Sequence, residues 1–505
     1  MRPGRWRPPS PNEPCRATPR PARLIPPGVA GPDGGGSLSG GDAPSVATAA
    51  SDRWRRWRAG GHVMAAAIVV GGVVGLLGGP SAPEVDDPVS AARWFDASFV
   101  GLAREYQVPR DVVAVVAVAL RGGFALALAM SPPGRRVVGW IAARAGQRPW
   151  LTAVVVAGGA FLLIDVLLSP LAFWSGFVHA GDYGLRTQGV GGWLLDWVAF
   201  RAPTWVGAAV VAGLAYAVAT RFPRGWPPLV AAGGAALLVG LVVAGPLVLE
   251  PLAYDTRPLE PGPARQAVQD VAAAGGVDVH KVLIADASKR TTRENAYISG
   301  LGATRRVVLF DTLVQARQPN TIRAVVAHEL AHHQHRDILR GSLAAAAAVV
   351  VGVYALAAWL GARTRRGRQR AVSDPGAVGL VVGAVMLVSV LATPIEAAAS
   401  RGMEAAADWR ALQLLEEPGA FEQLQVQLAR SNLNRPAPPV WRHVWWGTHP
   451  SPLERLAMAQ RWRAMAGSPP AGPPRRAFVD EPKAACDTAS PGHAPARRPA
   501  RSAGA

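Results

Sequence analysis

Cysteine is almost absent from this chain. Its 505 residues include 2, Cys15 and Cys486, near opposite ends. They cannot build a cysteine zinc site, and their placement argues against a structural disulfide. Charge is scarce too: 17% of residues are charged against 50% hydrophobic, and the mean hydropathy is +0.16. A positive average over this length excludes an ordinary soluble enzyme and points to a membrane protein. Lysine is nearly missing, with Lys281, Lys289 and Lys483 the sole examples among 53 cations. The formal net charge is nonetheless +19, a balance that suits a polyanion partner. No basic helix interleaves with aromatics, however. The Trp441–Trp446 cluster around Arg442 reads better as a membrane-interface belt. A nucleic-acid partner is therefore not expected.

What is present is long apolar sequence. Residues 1–62 and 468–505 are rich in Pro, Gly, Ser and Arg without sustained periodicity, and read as disordered tails. Between them lie seven apolar runs, at about 63–79, 112–130, 151–174, 204–220, 229–249, 341–360 and 377–397. A bilayer span needs about 20 such residues. The first run is short and glycine-rich behind an arginine-rich flank; a span is preferred there to a cleaved signal sequence. Arg121 sits at the centre of the second and is expected to snorkel to an interface.

Charge sets the orientation. Loop 131–149 has four arginines and no acid, loop 221–228 has Arg221 and Arg224, and loop 361–375 has five arginines against Asp374. Loop 80–111 has three arginines against six acids. Short basic loops stay in the cytoplasm. Seven spans and a cytoplasmic N-terminus follow, with 250–340 and everything after 398 outside. The tails and the three basic loops together hold the whole net charge, so the rest of the chain sums to zero.

Segment 250–340 has a different texture. Short alternating stretches, Lys281–Asp286, Ala296–Ser299 and Arg306–Phe310, read as strands, with Gly300 and Gly302 turning a hairpin between the last two. A helix is expected from Thr321 to Arg340. The fold class is therefore mainly α, a multi-pass membrane protein with about seven spans and a small α+β extramembrane domain. Its parts are a membrane domain over 63–249, an extramembrane segment over 250–340, a two-span hairpin over 341–397 and a second extramembrane segment over 398–467.

Four of the ten histidines fall between His328 and His335. His328-Glu329-Leu-Ala-His332 has the H-E-x-x-H spacing. On a helix it places two imidazoles on one face, where they can bind one Zn²⁺ while the Glu reaches its water. His333 is turned about 100° away, and His335 lies about 10 Å along the axis from His328. A third histidine in the extended motif would fall at 338, which is Ile338, so the third ligand must come from elsewhere. Glu404, in Arg401-Gly-Met-Glu404-Ala-Ala-Ala-Asp408, can supply it. Asp408, one turn on, can hydrogen-bond a ligand imidazole. Alone, that segment reads equally well as an amphipathic helix with two acids. Two spans separate His332 from Glu404, and an even number returns the chain to the same side of the membrane.

These residues resemble the integral-membrane zinc metalloendopeptidases of the CAAX prenyl protease type. The similarity rests on five blocks in order over about 90–465: His179–Trp193, Arg290–Leu313, the H-E-x-x-H helix, Arg401–Asp408 and Thr448–Leu456. The resemblance implies one zinc ion held by His328, His332 and Glu404, with Glu329 as general base. It implies Asp408, with Arg401 on the same helix, as outer support of the ligands, and Asn295 and His449 near the substrate carbonyl. Without it, Asn295 reads as a turn residue and His449 as a polar residue beside a helix start. It also implies seven membrane helices around a chamber capped by a zinc-protease domain, split here between the loop after the fifth span and the segment after the last.

The expected activity is hydrolysis of a peptide or protein substrate by metal-activated water, beside the lipid bilayer. Ala296, Tyr297, Ile298 and Ser299 are expected to pair with an extended substrate. Two alternatives are a quality-control endopeptidase of the related heat-shock type and a non-catalytic scaffold or sensor with a structural zinc. A structural site closes all four positions with protein ligands and needs no base, so Glu329 argues against the latter. The chain departs from the family at Ser451, where a second proline is usual. It also departs in orientation. Eukaryotic members place the zinc on the cytosolic side, whereas the loop charges place it outside the cytoplasm, in the cell membrane.

Overall fold

The third, fifth, sixth and seventh apolar runs are the strong ones in the sequence, and they form helices. The computed structural model describes residues 46–83, 89–248, 254–279, 281–299, 306–367 and 374–467. The chain divides into two units, 1–54 and 55–505; of the first, 46–54 are described and are helical. The helix there, α1 (Val46–Leu77), begins inside the stretch read as a tail. The tail residues 1–45 and 468–505 lie outside the described residues.

Then follow α2 (Ala97–Met130), α3 (Pro149–Phe173), α4 (Val190–Arg221) and α5 (Trp226–Val248). Next come the strands β1 (Thr256–Pro258), β2 (Lys281–Ala285), β3 (Ala296–Ser299) and β4 (Arg306–Phe310). The chain closes with α6 (Pro319–Gln334), α7 (Asp337–Arg365), α8 (Val378–Leu415), α9 (Pro418–Ser431) and α10 (Pro452–Met465). Among the described residues, six helices are long and apolar enough to cross a membrane; α5 is apolar over the shorter stretch Trp226–Val242. Leu163, Val206, Leu214, Val388 and Ile395 on these helices are each more than half exposed. Apolar side chains displayed along helices of this length suit lipid rather than water.

Arg121 does not simply snorkel. Its guanidinium lies 3.5 Å from Asp165 on α3, which also receives Arg201 at 3.7 Å and the Trp205 indole at 2.9 Å. A buried carboxylate among apolar helices is costly alone, and pairing offsets that cost.

The last long helix is seated by glycine. A Cβ at Gly383 would stand 2.5 Å from the Ala125 carbonyl oxygen, and one at Gly379 would stand 3.2 Å from the Leu128 carbonyl oxygen. Two glycines four apart let α8 approach α2 closely. The helix then runs unbroken from its apolar run to Leu415.

The extramembrane part is a four-stranded sheet in the order β1-β2-β4-β3. β3 and β4 pair antiparallel, Ala296 with Leu309 and Ser299 with Arg306, as a hairpin requires; the turn at 300–305 lies outside the described residues. β2 joins β4 in parallel, Lys281 with Arg306, which no hairpin pattern predicts. Val307, Val308 and Leu309 are fully buried, as suits an inner strand. β3 is left at the edge.

One helix boundary differs from expectation. The helix expected to run to Arg340 breaks at Arg336, which adopts a left-handed backbone with φ 54°, and α7 restarts at Asp337. Ser451 has a local role: it caps α10, accepting from the Glu454 amide at 3.3 Å while the Glu454 carboxylate accepts from the Ser451 amide. That reciprocal cap is typically worth about 1 kcal/mol.

Candidate metal centre

α6 packs Ile322, Ala324, Val326 and Leu330 into the core and so turns His328 and His332 toward α8. The two Nε2 atoms are 3.2 Å apart. Glu404 approaches both, Oε2 at 3.1 Å from His328 Nε2 and Oε1 at 3.5 Å from His332 Nε2. Ligands about 2.0–2.2 Å from one tetrahedral ion stand roughly 3.3–3.5 Å apart, close to these three edges. Glu404 Oε2 is buried and has no partner of hydrogen-bonding geometry, although imidazoles crowd it. Two imidazole nitrogens and a carboxylate that converge this closely fit a shared cation. Among the described residues this is the group of three donors close enough to share an ion. His333 and His335 stand outside it.

Each imidazole is held from behind. His328 Nδ1 lies 2.9 Å from Asp408, which is fully buried. Asp408 in turn accepts from Arg455 Nε at 2.8 Å, and the second arm of the guanidinium also reaches it. His332 Nδ1 lies 2.8 Å from Asp337, which accepts from Arg340 at 2.8 Å. A carboxylate on Nδ1 sets the tautomer that leaves Nε2 free to ligate.

Asp337 and Arg455 are the residues that sequence reasoning missed. On a continuous helix, position 337 would point about 140° away from 332. The break at Arg336 is what brings it back. Arg455 lies in the Thr448–Leu456 block, but spacing alone says nothing of its reach to Asp408. Changing Asp337 to Asn is expected to weaken metal affinity about 10–100-fold, read by competition against a chromophoric chelator.

The electrostatics follow from burial and these partners. Burial works against charge on His332, but its bonds to Asp337 and Glu404 and the Glu404 and Glu329 charges outweigh it, pushing its pKa up to about 10. Burial likewise opposes charge on His328, and Asp408 and Glu404 overcome it, so its pKa is raised. Burial raises the Glu329 carboxyl above its ordinary range, against the charges of His328 and His332 and a backbone hydrogen bond from Ile298. A carboxylate raised in this way is poised to accept a proton.

Glu329 faces a cleft of about 230 Å³ lined also by His328, Asn295, Ala296, His449 and Arg455. His449 stands at its mouth with its Nδ1 2.8 Å from Glu404. Arg401 touches none of the metal-facing donors. It donates to the His443 and Gly447 carbonyls at 2.8 and 2.6 Å, fixing the turn that leads to His449. Asn295 is exposed, its side-chain oxygen accepting from the Ala296 amide at 2.9 Å. Ala296, Tyr297, Ile298 and Ser299 form β3, and Ile298 reaches Glu329 through its amide.

Comparison with known proteins places the chain among metallopeptidases. Residues 258–463 match the model of Peptidase family M48. The chain is 24% identical over 397 residues to an uncharacterized metalloprotease, YhfN, of Bacillus subtilis, covering 76% of this chain and 92% of that one. It is 30% identical over 234 residues to a Protease HtpX homolog of Syntrophobacter fumaroxidans, covering 42% and 80%. It is 30% identical over 180 residues to CAAX prenyl protease 1 of Saccharomyces cerevisiae, covering 35% and 39%. The crystal structure of S. mikatae Ste24p superposes with a TM-score of 0.57 at 18% identity, covering 80% of this chain and 97% of that one.

Proposed function

The chain belongs to peptidase family M48 and is a membrane metalloendopeptidase; on that premise we propose that zinc is its metal and that His328, His332 and Glu404 hold it. The observation that carries this is the set of three donor edges of 3.1–3.5 Å, backed on each imidazole by a carboxylate. Two nitrogens and one oxygen suit zinc, and three protein ligands leave a position for substrate chemistry. Zinc in such a site acidifies water and polarises a carbonyl.

Glu329 takes the proton of the attacking water and delivers it to the leaving amine. His449 and Asn295 donate hydrogen bonds to the oxygen on which charge develops. β3 lies at an edge of the sheet and Ala296 lines the cleft, which supports a substrate in extended form adding a strand along Ala296–Ser299. Main-chain pairing of this kind is indifferent to most side chains, as an endopeptidase needs. The protease domain is assembled from 250–340 and 398–467, with 341–397 returning the chain to the same side.

Removing the metal with a chelator is expected to abolish cleavage of an unfolded membrane protein, and stoichiometric Zn²⁺ to restore it. Persistent cleavage in the chelated protein sinks this reading. The same assay with a prenylated peptide separates the two substrate classes that the relatives' names suggest. Quality control is favoured over prenyl processing because the basic loops 131–149, 221–228 and 361–375 support a zinc site outside the cytoplasm. A compartment-specific reporter fused after residue 467 is expected to be active only outside; a cytoplasmic signal overturns the orientation.

A further inference from the structure

A second cavity, of about 420 Å³, lies beyond the end of β3 and is lined by five arginines. Two are matched to acids: Arg290 to Asp196 at 2.8 Å and Arg201 to Asp165 at 3.7 Å. Arg110, Arg186 and Arg293 are not. Among the described residues none of the three has a carboxylate within 4.0 Å. Their bonds go to neutral oxygens: Arg110 to the Ser175 carbonyl and Arg186 to the Phe177 carbonyl, both at 3.0 Å, and Arg293 to the Tyr106 hydroxyl at 2.6 Å.

The arrangement is built rather than incidental. Ser175 and Phe177 belong to a π-helical turn, Trp174–Val178, a rare conformation that is frequent at functional sites. A Cβ at Gly181 would stand 2.8 Å from the Arg186 guanidinium, so glycine makes its room. Arg110 and Arg293 flank one ring, with guanidinium carbons 5.1 and 5.9 Å from the Tyr106 centroid. Segment 184–187 is tied to 288–292 by an Arg186–Thr291 bridge and by both threonine hydroxyls, at 2.8 and 2.9 Å. Guanidiniums that line one cavity and bond there to neutral oxygens can grip a carboxylate in a two-armed fork.

Position then selects the ligand. Arg293 is two residues before Asn295, and residues 294–296 line the metal cleft. A strand advances about 3.3 Å per residue. A peptide paired along β3 and continuing past its N-terminal end therefore meets Arg293 within two or three residues.

We propose that this cavity binds a carboxylate of the peptide substrate, either its terminal carboxylate or an Asp or Glu side chain a few residues from the scissile bond. This deepens the endopeptidase reading and rests on it. The test uses the full-length, metal-loaded protein and three quenched peptides of one sequence: an amidated neutral one, one with a free carboxylate terminus, and an amidated one with Asp at that end. At least one carboxylate peptide is expected to exceed the neutral one about 10-fold in kcat/KM; which of them does so identifies the source of the carboxylate. Arg293→Gln, which keeps a donor for Tyr106, is expected to bring that ratio toward one, and Arg293→Glu to invert it. Equal cleavage of all three by the unaltered protein, or a ratio unmoved by both substitutions, overturns the carboxylate site and leaves the endopeptidase reading intact. No cleavage of any peptide overturns both. If anionic vesicles shift KM for all three peptides alike while peptide charge does not matter, the cavity serves lipid phosphate and the proposal fails.

Discussion

Replacing Glu329 with glutamine is expected to lower peptide cleavage by about 10³-fold or more while zinc stays near one per chain. General acid–base groups contribute about 10²–10⁴-fold, and glutamine can neither take nor return the proton. The side chain is isosteric and is not one of the three converging donors, so metal retention separates loss of the base from loss of the site. Zinc content by elemental analysis and single-turnover cleavage check both halves. A variant that cleaves at the unaltered rate removes Glu329 from the proposed mechanism.

Truncating Arg455 to alanine is expected to be the most destabilising single change around the centre, at about 3–5 kcal/mol. It strips the two-armed partner from Asp408, whose side chain has no exposure, and leaves a buried carboxylate with His328 alone. Breaking one side of a buried pair costs more than the pair contributes, because the remaining charge cannot regain water. Thermal unfolding in detergent checks the size, and a drop of about 10–100-fold in metal affinity is expected alongside it. A melting temperature unchanged from the native protein contradicts the burial argument. Replacing both Arg455 and Asp408 with neutral residues is expected to recover part of the stability but not the affinity.

Much of the centre was legible because its chemistry is local. H-E-x-x-H is a statement about one helical turn, and α6 forms there as its apolar face and Pro319 predict. Glu404 and Asp408 follow the same rule one helix later, and they meet His328 and His332 at 2.9–3.5 Å. The edge position of β3 was half legible: its hairpin partner could be read, but the parallel contact of β2 with β4 could not. A parallel pair joins strands through a crossover, and no turn residue marks its register.

Arg121, Asp337 and Arg455 were illegible for a different reason. Each owes its role to a partner far in sequence or to a break in a helix, and periodicity assumes neither. Arg121 finds Asp165 because α2 and α3 stand side by side; a hydropathy window sees one helix at a time. Asp337 reaches His332 because Arg336 enters the left-handed region.

The sequence by itself determined the seven apolar helices, the charge asymmetry of their loops and the residue types of the metal centre. These follow from short-range physics: helix periodicity, the apolar length a bilayer demands and the spacing of ligands on one turn. Only the tertiary structure decided which carboxylate stands behind which imidazole, which arginines among the described residues stand beside an acid and which strand lies at the sheet edge by the cleft. Those depend on a helix break at Arg336 and on segments as distant in the chain as His328 and Asp408 being packed together, and packing is specified by the whole core at once rather than by any window of it.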